Sequence, residues 1–394
     1  MGEERTILYR RSPHLVSYWS GKDLVIYNYA TRIRAGASPV VCEILHFFDR
    51  WRAARELFAV KAHVSRHALQ KVLSLLVKRS LLQRDDRSVV ESERAMESWA
   101  DWNPAAGFFH SSTKDLRYGD LDTIERLARE KARVSPMPDS VKRYDHARVS
   151  RLPPIQTNGE FADVLLARRT WRQFAGLPVN LSAFSTLLGL TAGVRSWLPA
   201  SNRQHVALKT SPSGGARHPI ELYALVLQVS GLRRGLYHYA CDRHALELIE
   251  SRVNPRSVER YLPMQWWYKG ASAVVFFAAV FPREQWRYSH ARAYRAVLIE
   301  AGHLCQTFCL TATWLGLAPF CSMALADSEI ENDLKLDGIT ESVLYAAGVG
   351  TRPAGVEWTP RAKLAANPPV LPRRTAQTFP GQIAPRTSRR SGSL

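Results

Sequence analysis

The order of apolar and polar positions changes period along the chain. Residues 6–34 alternate, with Gly21-Lys22 between HLVSYWS and DLVIYNY. Alternation around a glycine turn predicts short paired strands. Ser38-Pro39 then opens VVCEILHFF, whose spacing and first-turn proline predict a helix. RAARELFAV and RHALQKVLSLLVKRSLL keep the helical period, and the second puts Leu69, Val72, Leu73, Leu76 and Val77 on one face. Leu81-Leu82 leads into a wing strand. Strands, three short helices and a wing predict a winged-helix-like domain over residues 1–84.

Residues 85–154 are polar, charged and proline-containing, and are expected to form a connector. They hold one helical stretch, LDTIERLAREKARV, and a tryptophan-rich one, SWADWNPAAGFFHSSTKDLRY. A free linker rarely carries so many aromatics, so this stretch is expected to pack on something.

From Asn158 the signals strengthen. FADVLLARRT predicts a helix with a basic end, and Ser182 is expected to cap AFSTLLGLTAGV. Residues 220–229, 235–240 and 244–250 predict a three-stranded meander. ASAVVFFAAVF suits a strand buried on both faces. A long helix is expected over about 291–315, and a last strand over 342–348. This order implies an α+β sandwich rather than a doubly wound sheet.

Composition narrows the class. With 394 residues, 46% of them hydrophobic, the chain can bury at least one large core and hold two domains. No apolar run reaches membrane-spanning length; residues 271–281 are interrupted by Ser272. MGEERTILYRRSPHL contains no apolar segment of the signal-peptide kind, so the expected location is cytoplasmic, with no membrane partner. Five scattered cysteines do not form a disulfide framework. Cys305 and Cys309 lie one helical turn apart beside His303, but no further ligand follows at a metal-site spacing. They are read as small buried hydrophobes, and no metal is expected.

The formal net charge is +19. Residues 359–394 hold no acid, yet include Arg361, Lys363, Arg373, Arg374, Arg386, Arg389 and Arg390 among Pro, Ser, Thr and Gly. This predicts a disordered basic tail, which weighs against reading the charge as nucleic-acid recognition. The remaining arginine excess suits an anionic cofactor, a phosphate or an acidic partner equally well.

Three segments can each face an anion. In Arg168-Arg169-Thr170-Trp171-Arg172-Gln173-Phe174, arginines at a helix end and a threonine hydroxyl can clamp a phosphate; a solvated helix terminus explains the segment equally simply. In Ser211-Pro212-Ser213-Gly214-Gly215-Ala216-Arg217-His218-Pro219, paired glycines let backbone approach a planar ligand, and the serines can bond its polar edge. Gly348-Val349-Gly350-Thr351-Arg352-Pro353 lacks the spacing of a dinucleotide fingerprint, but its arginine suits a phosphate. Walker, HExxH, nucleophile-elbow and paired CxxC motifs are absent from the sequence.

RRTWRQF, SPSGGARHPIELY, AYRAVLIEAGHLCQ, GLAPF and YAAGVGTRP, in that order, resemble the SagB-type dehydrogenases of the nitroreductase superfamily. That group includes azoline-oxidising enzymes of thiazole and oxazole peptide biosynthesis. The resemblance covers roughly residues 155–353, and WNPAAGFFHSSTKD and the N-terminal unit resemble the family's usual leader. It implies a nitroreductase-like FMN-binding sandwich, a central mixed sheet flanked by helices, over residues 155–358. It also implies that Arg168, Thr170 and Arg172, with Arg169 between them, hold the FMN phosphate and ribityl chain. Ser211, Pro212, Ser213, Gly214 and Gly215 would lie against the flavin ring. Gly316, Leu317 and Ala318 would flank its reactive edge, and Gly350 and Arg352 would make a second phosphate contact. The family is typically a homodimer with flavins at the interface.

The azoline oxidases of this family carry a Lys-Tyr pair shortly before the AYR segment. Here the place reads Trp286-Arg287-Tyr288-Ser289. Tyr288 fits. Arg287 departs from the pattern, because a guanidinium stays protonated and is a poor base; it can still stabilise a developing anion or bind a carboxylate. Tyr288 and Arg287 are therefore the candidate catalytic pair. The expected activity is an FMN-dependent oxidation or reduction of a peptide-linked or amino-acid-derived heterocycle in natural-product biosynthesis. The N-terminal unit would then hold a peptide or a partner enzyme. The alternatives are a flavin-sensing nucleic-acid-binding regulator, in which Arg66, His67, Gln70 and Lys71 would read DNA, and a non-catalytic scaffold binding flavin or peptide.

Overall fold

The computed structural model describes residues 6–116, 120–134, 153, 157–199, 205–254 and 256–355. The basic tail and much of the connector therefore lie outside the described residues.

The alternating N-terminal stretch forms β1 (Leu8–Arg11), β2 (Leu15–Ser20), β3 (Asp23–Asn28) and β4 (Ile33–Gly36). Gly21, at φ +61°, turns β2 into β3 with Ser20 opposite Asp23. Then come α1 (Pro39–Phe47), β5 (Arg52–Ala53), α2 (Ala54–Val60), α3 (Arg66–Lys78) and β6 (Leu82–Arg84). The strands form two small sheets, β5-β1-β6 and β2-β3-β4. Ile44, Leu45, Phe48, Leu57, Leu69, Leu73 and Leu76 gather into one core, so the helical stripe in α3 is the buried face.

The tryptophan-rich stretch packs, as its aromatics lead one to expect, and it is helical. It forms α4 (Glu91–Met96), a tight turn at Glu97–Trp99 and α5 (Ala105–Thr113), ahead of the expected helix α6 (Leu121–Val134). Trp99 and Trp102 are fully buried, in the same core as Phe281 and Tyr294 far along the chain. Their indole nitrogens donate to the Ile339 carbonyl (3.1 Å) and the Tyr288 carbonyl (2.9 Å). Burial of large aromatics, rather than helical propensity, orders residues 91–113. Glu93 adds a polar tie: its carboxylate accepts from Ser12, from Asn28 (2.8 Å) and from Gln83 (2.9 Å).

The C-terminal half contains α7 (Glu160–Ala167), α8 (Leu181–Ala192), β7 (Ser196–Pro199), β8 (His205–Leu208), β9 (Ile220–Val226), β10 (Gly235–Ala240) and β11 (Ala245–Glu250). After these come α9 (Arg256–Tyr261), β12 (Ala273–Val280), α10 (Phe281–Gln285), α11 (Ala293–Trp314), β13 (Leu317–Ser322), α12 (Asp327–Leu334) and β14 (Glu341–Thr351). Asn180 caps α8, its side chain accepting from the Ser182 amide at 2.7 Å, so the expected cap at Ser182 shifts two residues upstream. The expected meander forms, and the sheet runs β11-β10-β9-β12-β14-β13.

Every ladder of that sheet is antiparallel. Among the described residues the one parallel pairing is the isolated bridge Val179–Val229, so the expected mixed sheet is antiparallel in its ladders. Side chains alternate across it as a period of two requires. Ile220, Leu222, Ala224, Val275 and Phe277 join the core under α8 and α11, while Tyr223, Leu225, Val274 and Phe276 join the core under α9 and α12. This two-faced burial explains why β12 reads as an unbroken apolar run. No helix among the described residues is long and apolar enough to cross a membrane.

Candidate functional site

The first arginine segment departs from its expected setting. α7 ends at Ala167, and Arg168 caps it with extended dihedrals (φ −62°, ψ 126°), so the arginines follow the helix instead of decorating it. The segment lies along β13 and the end of β14: the Trp171 amide donates to the Pro319 carbonyl and the Ala175 amide to the Thr351 carbonyl, both at 2.9 Å. Trp171 is buried, with the guanidinium groups of Arg169 (4.6 Å) and Arg352 (5.6 Å) over its ring.

In the third segment the last strand runs further than its expected end at 348. β14 runs on to Thr351, so Gly348 and Gly350 are ladder residues opposite Phe320 and Ala318. A β-carbon at Gly350 would stand 2.6 Å from the Phe174 ring, so this glycine makes room for Phe174. Arg352 donates from Nε to the Leu317 carbonyl and from Nη2 to the Thr313 carbonyl, each at 2.9 Å. It thereby satisfies an end carbonyl of α11 and holds the start of β13, leaving Nη1 as its uncommitted nitrogen among these bonds. Gly316, at φ +74°, makes the turn between those elements. Sequence segments one, four and five thus converge on one sheet edge.

The serine–glycine loop is pinned between α10 and α11. Ser211 Oγ lies 2.9 Å from Thr307 Oγ1 on α11, and the His218 amide donates to Ser213 Oγ at 2.8 Å. Gly215 is left-handed (φ +55°). A β-carbon there would meet the Tyr288 hydroxyl at 3.1 Å and Arg287 Cγ at 3.4 Å, so the candidate catalytic pair stands against this loop. Pro212 and Gly215 keep an exposed outer surface. The charge of Arg168 is felt at Cys309, two residues after Thr307 on α11.

Beneath the loop is an acidic pair that the sequence reading passed over. Glu284 is buried with neither carboxylate oxygen hydrogen-bonded among the described residues, and a β-carbon at Gly214 would stand 2.7 Å from its Oε1. Burial pushes its pKa up. Glu300 is buried too; desolvation raises its pKa to about 7, against the opposing pull of Ser213 and Lys209. His218 Nδ1 lies 3.8 Å from Glu300, yet burial lowers the imidazole to about 4, so near neutrality the pair is a neutral histidine beside a titrating acid. Glu300 was visible within EAGHLCQ, but nothing in its spacing shows that it lies under a loop 80 residues earlier in the chain.

A cleft of ≈ 450 Å³ opens beside Thr307, lined by Phe161, Val164, Leu190, Leu310, Thr311 and Trp314. These surroundings fit a planar cofactor bearing a phosphate. They combine Arg168, which is in no salt bridge with a described acid, a hydroxyl- and glycine-rich loop with one bare side, and an apolar cleft next to it.

The nitroreductase family model matches residues 165–351. A Methanocaldococcus jannaschii protein named as a nitroreductase is 32% identical over 186 residues, which is 47% of this chain and 89% of that one. The chain therefore belongs to the nitroreductase family, whose members are oxidoreductases. The trifolitoxin-processing protein TfxB of Rhizobium leguminosarum bv. trifolii is 29% identical over 247 residues, 59% of this chain and 64% of that one. Among solved structures, the E. coli microcin synthetase McbBCD complex with truncated pro-MccB17 bound holds a chain 21% identical to this one. It covers 68% of this chain and 100% of its own, at a TM-score of 0.40.

Proposed function

We propose that this chain is an FMN-dependent oxidoreductase of the SagB type, acting on a peptide-linked or amino-acid-derived heterocycle during peptide maturation. The observation that carries this reading is the placement of Arg287 and Tyr288 against Gly215, on the loop that would face the flavin. The relatedness to TfxB supports the peptide context.

Arg168, Thr170 and Arg172 would hold the phosphate and ribityl chain, with Arg169 stacked on Trp171 and Arg352 supporting from behind. Ser211, Ser213, Gly214 and Gly215 would fit the ring face, and Gly316, Leu317 and Ala318 its edge. When bound, FMN supplies a site, N5, that accepts or returns a hydride. The residues around it handle the proton. In the oxidative direction the substrate heterocycle gives up one hydride and one proton, and the Tyr288 hydroxyl is the group we assign to relay that proton. Arg287, whose guanidinium lies 5.9 Å from the Tyr288 ring, stabilises the negative charge that develops. An external acceptor would take up the two electrons removed from the substrate.

Exposed Phe161 and Trp314 at the cleft mouth suit coverage by a second copy, which makes a homodimer part of this reading. Residues 1–84, with three helices and small sheets, suit a winged-helix-like unit that holds a peptide or a partner enzyme. The test is anaerobic incubation of the FMN-loaded chain with an azoline-containing peptide, read by mass spectrometry and flavin bleaching. Loss of two hydrogens per ring with stoichiometric bleaching is expected. A bleached flavin with an unchanged peptide would reject the substrate class, and neither change would reject the enzyme reading for this class.

A further inference from the structure

Cys305 and Cys309 project from α11 one turn apart, as the sequence indicates. The structure adds Cys321, from β13 on the neighbouring strand. Ligand atoms of all three lie within 4.8 Å of one another. Cys305 and Cys309 are buried and Cys321 is half-buried, which leaves an approach from outside. A tetrahedral ion with metal–sulfur bonds of about 2.3 Å needs its sulfurs about 3.8 Å apart, so small side-chain rotations suffice.

The surroundings differ from those of inert buried thiols. The charge of Arg168 acts on both Cys309 and Cys321, and the Tyr345 hydroxyl interacts with Cys321. Three sulfur ligands gathered in one small volume are what a soft cation requires.

We propose that Cys305, Cys309 and Cys321 form a three-sulfur site for a thiophilic divalent cation of the zinc class, with the fourth position towards the Tyr345 hydroxyl. Charge decides between ion classes. Three thiolates and a divalent ion leave one negative charge; a monovalent ion would leave two. Binding replaces the thiol protons, which pass to solvent, and no electron is transferred. The ion would fasten β13 to α11 immediately after Gly316, Leu317 and Ala318. The site stands independently of the flavin reading, since zinc-class binding requires no flavin.

The test is a cadmium titration of the full-length reduced protein, followed by thiolate-to-metal absorption in difference spectra, with zinc retention measured by elemental analysis. One cadmium and one zinc per chain are expected. Cys321→Ser should weaken binding by roughly 100-fold or more, and Tyr345→Phe by about 10-fold. Cys42→Ser, at a thiol on α1 in the other core, should change nothing. Cys321→Ala, checked by thermal melting, separates loss of the ligand from loss of the fold. No charge-transfer band in the wild-type protein, a band that survives in Cys305→Ser/Cys309→Ser/Cys321→Ser, or a disulfide among the three with no metal bound would each overturn the proposal.

Discussion

A β-carbon at Gly215 would stand 3.1 Å from the Tyr288 hydroxyl. The glycine is in the left-handed region and its outer side is exposed. Loop and tyrosine therefore form one surface, which any ligand lying on the loop must share with the phenol. Tyr288→Phe keeps the ring and removes the proton relay. FMN affinity should stay within about 3-fold of the wild type, while the single-turnover rate of flavin reduction by substrate should fall roughly 100-fold or more. Equal losses in both would assign Tyr288 to flavin binding.

Arg168 and Arg352 are both expected phosphate ligands, yet their surroundings differ. Arg352 already serves two carbonyls at 2.9 Å. Arg168→Ala should weaken FMN binding by about 10- to 100-fold and leave the melting temperature of the flavin-free protein nearly unchanged. Arg352→Ala should lower that melting temperature, by roughly 1–3 kcal/mol of stability, because it strands the Thr313 and Leu317 carbonyls. Flavin fluorescence titration and calorimetry of the two variants separate the roles.

Lys114 and Glu331 form a buried ion pair at 2.6 Å, with 8% and 4% of their side chains exposed. Lys114 also reaches the Gly338 carbonyl (3.1 Å), and Glu331 also accepts from Ser342 (2.5 Å) and the Val343 amide (3.2 Å). The pair joins the end of the tryptophan-rich stretch to α12 and β14. Lys114→Met leaves the carboxylate buried without its cation, and urea unfolding should show a loss of roughly 3–5 kcal/mol.

Glu300 should give the stability a specific pH dependence. Its pKa rises from an ordinary 4.5 to about 7 on folding. Below the lower value it is neutral in both states, and its contribution is intact. Between the two values the unfolded chain ionises it and the folded chain does not, so stability falls as pH rises and levels off above about 7. Glu300→Gln should remove this decline, gaining roughly 3 kcal/mol over the wild type at pH 8 relative to pH 4. A difference between the two proteins that does not vary with pH would contradict it. Comparing the two proteins cancels buried His14 and His110, which act in the opposite direction.

Legibility of the fold followed period. The apolar run of β12, the stripe of α3, the meander β9–β11 and the helix α11 each display a pattern set by local geometry, and each formed within a few residues of its expected bounds. Residues 91–113 were harder to read, because Trp99 and Trp102 are ordered by partners about 180 and more residues away. The same distance hid part of the site. The five segments marked the arginines, the loop and the glycines, but not the reason for Gly350, which lies in Phe174. They gave no sign that Glu284 and Glu300 lie beneath the loop, or that Cys321 joins two cysteines from another element.

The central claim is that this chain holds FMN and uses it. The direct measurement is to purify the full chain, reconstitute it with FMN, and determine bound flavin per chain together with its absorption spectrum before and after anaerobic reduction. One FMN per chain is predicted, with reversible bleaching and at least a 10-fold weaker affinity in Arg168→Ala. A folded, colourless protein that takes up no FMN would contradict the account.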